Sequence, residues 1–140
     1  MLVAPAFSQG RLGVGGSFFQ GSPVFDAFVE VGLSDITGLR FTVGTIFSGG
    51  GFAAFTVDAT FLISLRLEAF QPYFGAGAGA YVETGGGAVA GVFTINGIAG
   101  AALPISDTAG LYAQMRFFGF QSGGTFGGYV FPGVGLFVNF

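Results

Sequence analysis

Residues 129–140, YVFPGVGLFVNF, alternate in character at every step. Counting back from Phe140, one face carries Val138, Leu136, Val134, Pro132 and Val130, and the other carries Asn139, Phe137, Gly135, Gly133, Phe131 and Tyr129. A period of two marks an extended strand, because successive side chains leave opposite faces of a pleated backbone. The first face is wholly apolar, so it expects a non-aqueous neighbour. The alternation persists up to the aromatic last residue, which places that residue in the strand itself.

Composition agrees by an independent route. The 140 residues are 51% hydrophobic and 8% charged, against about a quarter charged residues in an ordinary soluble domain. Mean hydropathy is strongly positive. The length suits one domain. A net charge of -3, no lysine and four scattered arginines lack the clustered basic footprint of a nucleic-acid binder, so nucleic acid is set aside as a partner. With no cysteine and no histidine, thiolate metal sites, disulfides and histidine-based acid/base devices are excluded by inventory. Residues 1–10 include the small-x-small run Ala4-Pro5-Ala6. They are expected to be an amino-terminal segment or the remnant of a secretory signal, with the folded domain spanning residues 11–140.

Uncharged stretches at 84–106 and 117–140 are long enough to cross a bilayer as helices, and this is the rival reading. Interior glycines and Pro104 or Pro132 interrupt both, and each interior glycine costs a helix about 1 kcal/mol relative to alanine. Period two, by contrast, recurs along the entire chain. In hydrocarbon every backbone amide needs an internal partner, and a sheet closed on itself supplies one without leaving an edge.

The alternation resolves into eight segments near the ten-residue length of a tilted membrane strand. They are residues 11–20, 24–33, 39–47, 52–65, 71–82, 88–103, 111–120 and 129–140. Leu12, Val14 and Phe18 face outward in the first, and Phe25, Val29 and Val31 in the second. Phe41, Val43, Phe55, Val57 and Phe61 continue this face, followed by Phe74, the alternate alanines 76, 78 and 80, then Phe93, Ile95, Leu111 and Met115. Breaks at Gly21-Ser22-Pro23, Ser34 to Gly38, Ser48 to Gly51, Arg66 to Phe70, Glu83 to Gly87, Pro104 to Gly110 and Gln121 to Gly128 separate the strands. Phe18, Phe25, Phe47, Phe55, Phe70, Phe117 and Phe140 fall outward near strand ends, where membrane barrels carry aromatic girdles. The fold class expected is all-β: an eight-stranded antiparallel up-and-down transmembrane β-barrel.

Three runs carry a family likeness: Pro72-Tyr73-Phe74-Gly75-Ala76-Gly77-Ala78-Gly79-Ala80-Tyr81, then Ala101-Ala102-Leu103-Pro104-Ile105-Ser106-Asp107, then Leu111-Tyr112-Ala113-Gln114-Met115-Arg116. In order and spacing this resembles the second half of the small OmpA/OmpX-like outer-membrane barrels. The terminal strand, with Phe140 last and Val138 and Leu136 two and four residues before it, resembles the insertion signal of bacterial outer-membrane barrels. The resemblance implies a bacterial outer-membrane location with both termini periplasmic. It further implies outer-membrane lipids as the surroundings and the barrel-assembly machinery as a partner that reads Phe140, Val138 and Leu136. The outer breaks are shorter and richer in glycine than many loops of that family.

The same phase points Asp26, Glu30, Arg40, Asp58 and Arg116 inward. Hairpin arithmetic places Arg40 diagonally between Glu30 and Asp58, an expected ion-pair network in which one guanidinium bridges two carboxylates. Inward glycines on the fifth and eighth strands leave room for large side chains such as Arg116. An eight-stranded barrel is just wide enough for side chains to fill, so the main expectation is a structural integral outer-membrane protein with a side-chain-filled, salt-bridged lumen. The alternatives are a narrow ion-conducting channel and a surface adhesin or ligand-binding barrel working through loop 121–128. Carboxylates around an arginine suit a salt bridge better than an acid/base pair, and no histidine is available to a hydrolytic nucleophile. No enzyme activity, catalytic residue, metal, cofactor or small-molecule substrate is expected.

Overall fold

Backbone amides in a non-aqueous setting must pair with one another, and the chain satisfies them by closing eight strands into a ring. The computed structural model describes residues 10–19, 21–47, 53–65, 67, 69–85, 88–122 and 124–140. The expected amino-terminal segment, apart from Gly10, and the break at Ser48 to Gly51 lie outside the described residues. The strands are β1 (Gly10–Phe19), β2 (Ser22–Gly32), β3 (Thr37–Phe47), β4 (Ala53–Ser64), β5 (Gln71–Gly85), β6 (Ala88–Pro104), β7 (Ala109–Ser122) and β8 (Thr125–Asn139). Each pairs antiparallel with its neighbours in chain order, and β8 returns to β1, giving a closed barrel. Among the described residues no helix is long and apolar enough to cross a membrane, so the helical alternative for 84–106 and 117–140 is overturned.

The barrel closes where the opening sequence run meets the first strand. The β1–β8 ladder runs from Arg11↔Asn139 to Ser17↔Gly133. Beyond it, Gly10 and Phe140 exchange backbone hydrogen bonds of 2.8 and 2.9 Å. At its other end the ladder stops one residue short of Pro132, which has no N–H to contribute. β8 nevertheless continues along β7 as far as Ser122↔Thr125.

Residue phase divides the barrel into two environments. Outside, Val14, Phe18, Phe25, Val43, Phe74, Phe93, Val130, Val134 and Leu136 are all exposed. Within the strands the described charged residues, Arg11, Asp26, Glu30, Arg40, Asp58, Glu83 and Arg116, fall in the opposite phase. An exposed apolar belt on every strand far exceeds the few hundred Å² that soluble monomers tolerate, and it is the surface a membrane barrel presents to lipid. Inside, the core gathers Phe28, Leu62, Tyr73, Ala102, Tyr112 and Phe137, with Ile98 packed against them.

Inward glycines make this core possible by yielding their volume to the largest side chains. A Cβ built on Gly15 would lie 2.6 Å from the backbone oxygen of Val134 and 3.0 Å from Tyr112 Cζ, so β1 can pass Tyr112 only without a side chain. Gly79 on β5 stands likewise against β4, where an added Cβ would lie 2.6 Å from Asp58 Cβ.

Strand boundaries differ from the sequence expectation mainly at glycine-rich ends. Residues 121–128, expected as the longest loop, are largely strand: Gln121↔Phe126 and Phe120↔Gly127 pair in register, and Gly124 takes a positive φ of 82° at the turn. Glu83 to Gly85, expected as loop, extend β5. Glycine has no side chain to report a phase, so pairing that the partner strand imposes is silent in the sequence.

Candidate functional site

The lumen is the place where chemistry collects. From the end where Gly10 meets Phe140 upward, its side chains form layers, each anchored by one arginine. In the lowest, Arg11 donates through Nε to Asn139 Oδ1 and through Nη2 to Gln71 Oε1, both at 3.0 Å, and its guanidinium lies 4.1 Å from the Phe137 ring centroid.

Arg40 governs the middle layer. It donates through Nε and Nη2 to Glu30 Oε2 at 3.0 and 2.7 Å and through Nη1 to Gln114 Oε1 at 3.2 Å. Tyr73 donates its hydroxyl to the same Gln114 oxygen at 2.8 Å. The guanidinium plane sits 4.0 Å from the Phe28 centroid and 4.8 Å from that of Tyr73. Arginine tolerates such a site because its fork takes several acceptors while its flat face packs on rings.

Arg116 holds the upper layer. Its Nη2 donates to Asp58 Oδ2 at 2.8 Å and its Nη1 to Asp26 Oδ2 at 3.4 Å. Tyr112 donates to Asp26 Oδ1 at 3.4 Å, and the Thr60 hydroxyl reaches Asn96 Oδ1 at 2.9 Å and Asp58 Oδ1 at 3.4 Å. Phe118 and Phe131 close over Arg116, at 4.9 and 5.8 Å from centroid to guanidinium carbon.

All five sequence-selected lumen residues therefore lie inside, but they divide into two groups. Arg40 meets Glu30 as the β2–β3 register brings them side by side. Among the described residues Asp58 pairs with Arg116 rather than Arg40, so the expected Glu30–Arg40–Asp58 bridge is replaced by a cross-lumen one. Hairpin arithmetic sees neighbouring strands alone, whereas β7 reaches β2 and β4 across the ring. Sequence reasoning passed over Gln114 as a shared acceptor and Tyr73 and Tyr112 as donors. Their signal was present, because all three are polar-tipped residues in the inward phase.

Both guanidinium-bearing residues of the plug are buried, Arg40 with 2% and Arg116 with 5% exposure. Above the plug a cavity of about 350 Å³ is walled chiefly by apolar and aromatic side chains, and below it one of about 530 Å³ is rimmed by polar groups including Arg11, Glu30 and Asp107. Among the described residues no group of three or more His, Cys, Asp or Glu side chains is placed to hold a metal ion. Phe140, Val138 and Leu136 are exposed on the outer face beside the closing seam.

No protein-family model matches the chain, and neither does any curated protein. Solved structures do. The N-terminal β-barrel domain of Pseudomonas aeruginosa OprF superposes with a TM-score of 0.81 at 14% identity, covering 94% of this chain and 97% of that one. Neisserial surface protein A matches at 0.65 and 10% identity, over 94% and 93% of the two chains. A de novo designed transmembrane β-barrel matches at 0.61 and 14% identity over the full length of both. The fold is thus that of the small eight-stranded outer-membrane barrels, and the likeness to the OmpA/OmpX-like group holds at the level of fold.

Proposed function

We infer that this chain is an integral outer-membrane barrel serving as a structural element of that membrane, its lumen closed to ions by the two arginine layers. The observation that carries this reading is the burial of Arg40 and Arg116 in mid-lumen, each held by acceptors from other strands. For an ion to pass, at least one buried pair must open, and separating charges in a low-dielectric interior is costly. The upper and lower cavities then end blindly on opposite sides of the plug. In this reading both termini are periplasmic, and the exposed row Phe140, Val138 and Leu136 is what assembly machinery engages. The carboxylates are structural partners of arginine, so no catalysis is assigned to them.

The test is single-channel recording of the refolded protein in a planar bilayer, alongside Arg40→Met and Asp58→Asn. A silent wild type, verified as folded, is the expected outcome. Stable unitary currents whose size shifts with either substitution would instead make the lumen a narrow ion path.

A further inference from the structure

The upper cavity is a built site, and the plug explains only its floor. It lies at the end away from Gly10 and Phe140, and its volume of about 350 Å³ falls in the range of small-molecule pockets, about 300–1,000 Å³. Val24, Ile46, Val92, Tyr81, Phe120 and Tyr129 supply its walls. Two of the rings, Phe120 and Tyr129, stack at 5.6 Å. Apart from the exposed Glu83, the walls are apolar and aromatic.

Its floor is different in kind. Thr56, Thr94 and Arg116 line it. The two threonines are 4% and 3% exposed, yet neither Oγ1 has a hydrogen-bond partner, and Asn96 Nδ2 in the layer beneath is also unpartnered. Buried polar atoms are normally satisfied, and an unsatisfied one costs about 1–3 kcal/mol. Two such atoms on residues lining one cavity point to a partner received in the cavity itself. Arg116, which also lines the cavity, has five N–H donors, of which Nη1 serves Asp26 and Nη2 serves Asp58.

Charge then selects the ligand. Glu83, exposed and accepting the Tyr81 hydroxyl at 3.0 Å, also lines the cavity, and Asp26 and Asp58 against Arg116 leave one net negative charge beneath the floor; both oppose an anionic head, while Arg116 at the floor opposes a cation there. We propose that the upper cavity binds a small neutral apolar molecule whose single carbonyl or hydroxyl oxygen is received by Thr56, Thr94 and Arg116. The hydrocarbon body fills the space between the apolar and aromatic walls. This goes beyond the structural role and does not depend on it, since a conducting lumen would leave the walls and threonines in place.

The experiment is an NMR titration of the labelled barrel in lipid nanodiscs with benzylacetone, a neutral ketone on a phenyl-alkyl body. Butylbenzene, phenylbutyrate and phenylbutylamine serve as analogues without the oxygen, with an anionic head and with a cationic head. The amides of Val92 and Phe118 report the cavity, and those of the outward Val130 and Val134 report partition into lipid. Saturable shifts confined to Val92 and Phe118 are expected, with butylbenzene and both charged analogues weaker by about tenfold, the value of one or two hydrogen bonds.

The double substitution Thr56→Val and Thr94→Val should weaken benzylacetone by about the same factor while leaving butylbenzene unchanged. Because it removes polar atoms that lack partners, it does not threaten folding. Ala90→Trp fills the mouth and should abolish binding; if that variant does not refold, Val92→Phe occupies the same space and is read at Phe118. The proposal is overturned if the ketone binds no better than butylbenzene, if either charged analogue binds more tightly, or if shifts are unsaturable and shared by Val130 and Val134. It is equally overturned if no shift occurs at all, which would leave water as the partner of the threonines.

Discussion

Replacing Arg116 by methionine should destabilise the barrel more than any other single lumen substitution that keeps its volume. Methionine retains much of the stem and its contact with Phe118 and Phe131, so the loss is electrostatic. Two carboxylates, Asp58 at 2.8 Å and Asp26 at 3.4 Å from the guanidinium, are left buried without their cation, both residues being under 10% exposed. Breaking a buried pair in this way costs about 3–5 kcal/mol. The lower figure applies because Arg116 lines the upper cavity, from which water can enter to solvate what remains. About 3 kcal/mol is more than a hundredfold in the unfolding equilibrium, or a drop of about 1.5 M in urea midpoint for an m-value near 2 kcal/mol/M. The assay is urea titration of protein refolded in lipid vesicles, followed by tyrosine fluorescence and by the compact mobility of the unheated protein on a gel. The triple variant with Asp26→Asn and Asp58→Asn removes the stranded charges and should recover all but about 1 kcal/mol. A single variant that loses less than about 1 kcal/mol, or a triple variant no more stable than the single, would refute the claim that Arg116 neutralises a desolvated pair.

Other expectations follow from the same geometry. Arg40→Met should cost about 2 kcal/mol, less than Arg116→Met, because the Glu30 side chain it abandons is 15% exposed and borders the lower cavity. It should therefore lower the temperature at which the compact gel mobility is lost, and an unchanged transition temperature would show that the middle layer contributes nothing. Gly79→Val sets a branched carbon 2.6 Å from Asp58 Cβ and 2.8 Å from its Cα. Its refolding yield should fall sharply, and a wild-type yield would mean that β4 and β5 can separate there without penalty. Deletion of Phe140 removes the residue that exchanges backbone hydrogen bonds with Gly10 and stands exposed on the outer face. Assembly in cells should suffer more than refolding in detergent; equal losses in the two would reject recognition by assembly machinery.

Much of the fold is legible in the sequence because a strand buried on neither face alone must alternate. Leu12, Val14 and Phe18, like Val130, Val134 and Leu136, declare the lipid side by period two alone, and the charges at Asp26, Glu30, Arg40, Asp58 and Arg116 declare the inside by the same phase. The site was less legible. Gln114 receives hydrogen bonds from Arg40 and Tyr73, which lie 74 and 41 residues away in the chain, and no local pattern encodes such a meeting. The unpartnered hydroxyls of Thr56 and Thr94 share a cavity through strands that are not neighbours, and the paired glycines of residues 121–128 carry no phase to read.

By itself the sequence determined the number of strands, which face meets lipid, and which charged groups turn inward, since each of these depends on residue identity at alternate positions and on the need to bond every amide. Which arginine serves which carboxylate, where the plug stops and where the upper cavity begins were decided only when β8 closed on β1. Closure brings β7 opposite β2 and β4 across a lumen about one side chain wide, and Coulomb attraction and packing act over that distance in space whatever the separation along the chain.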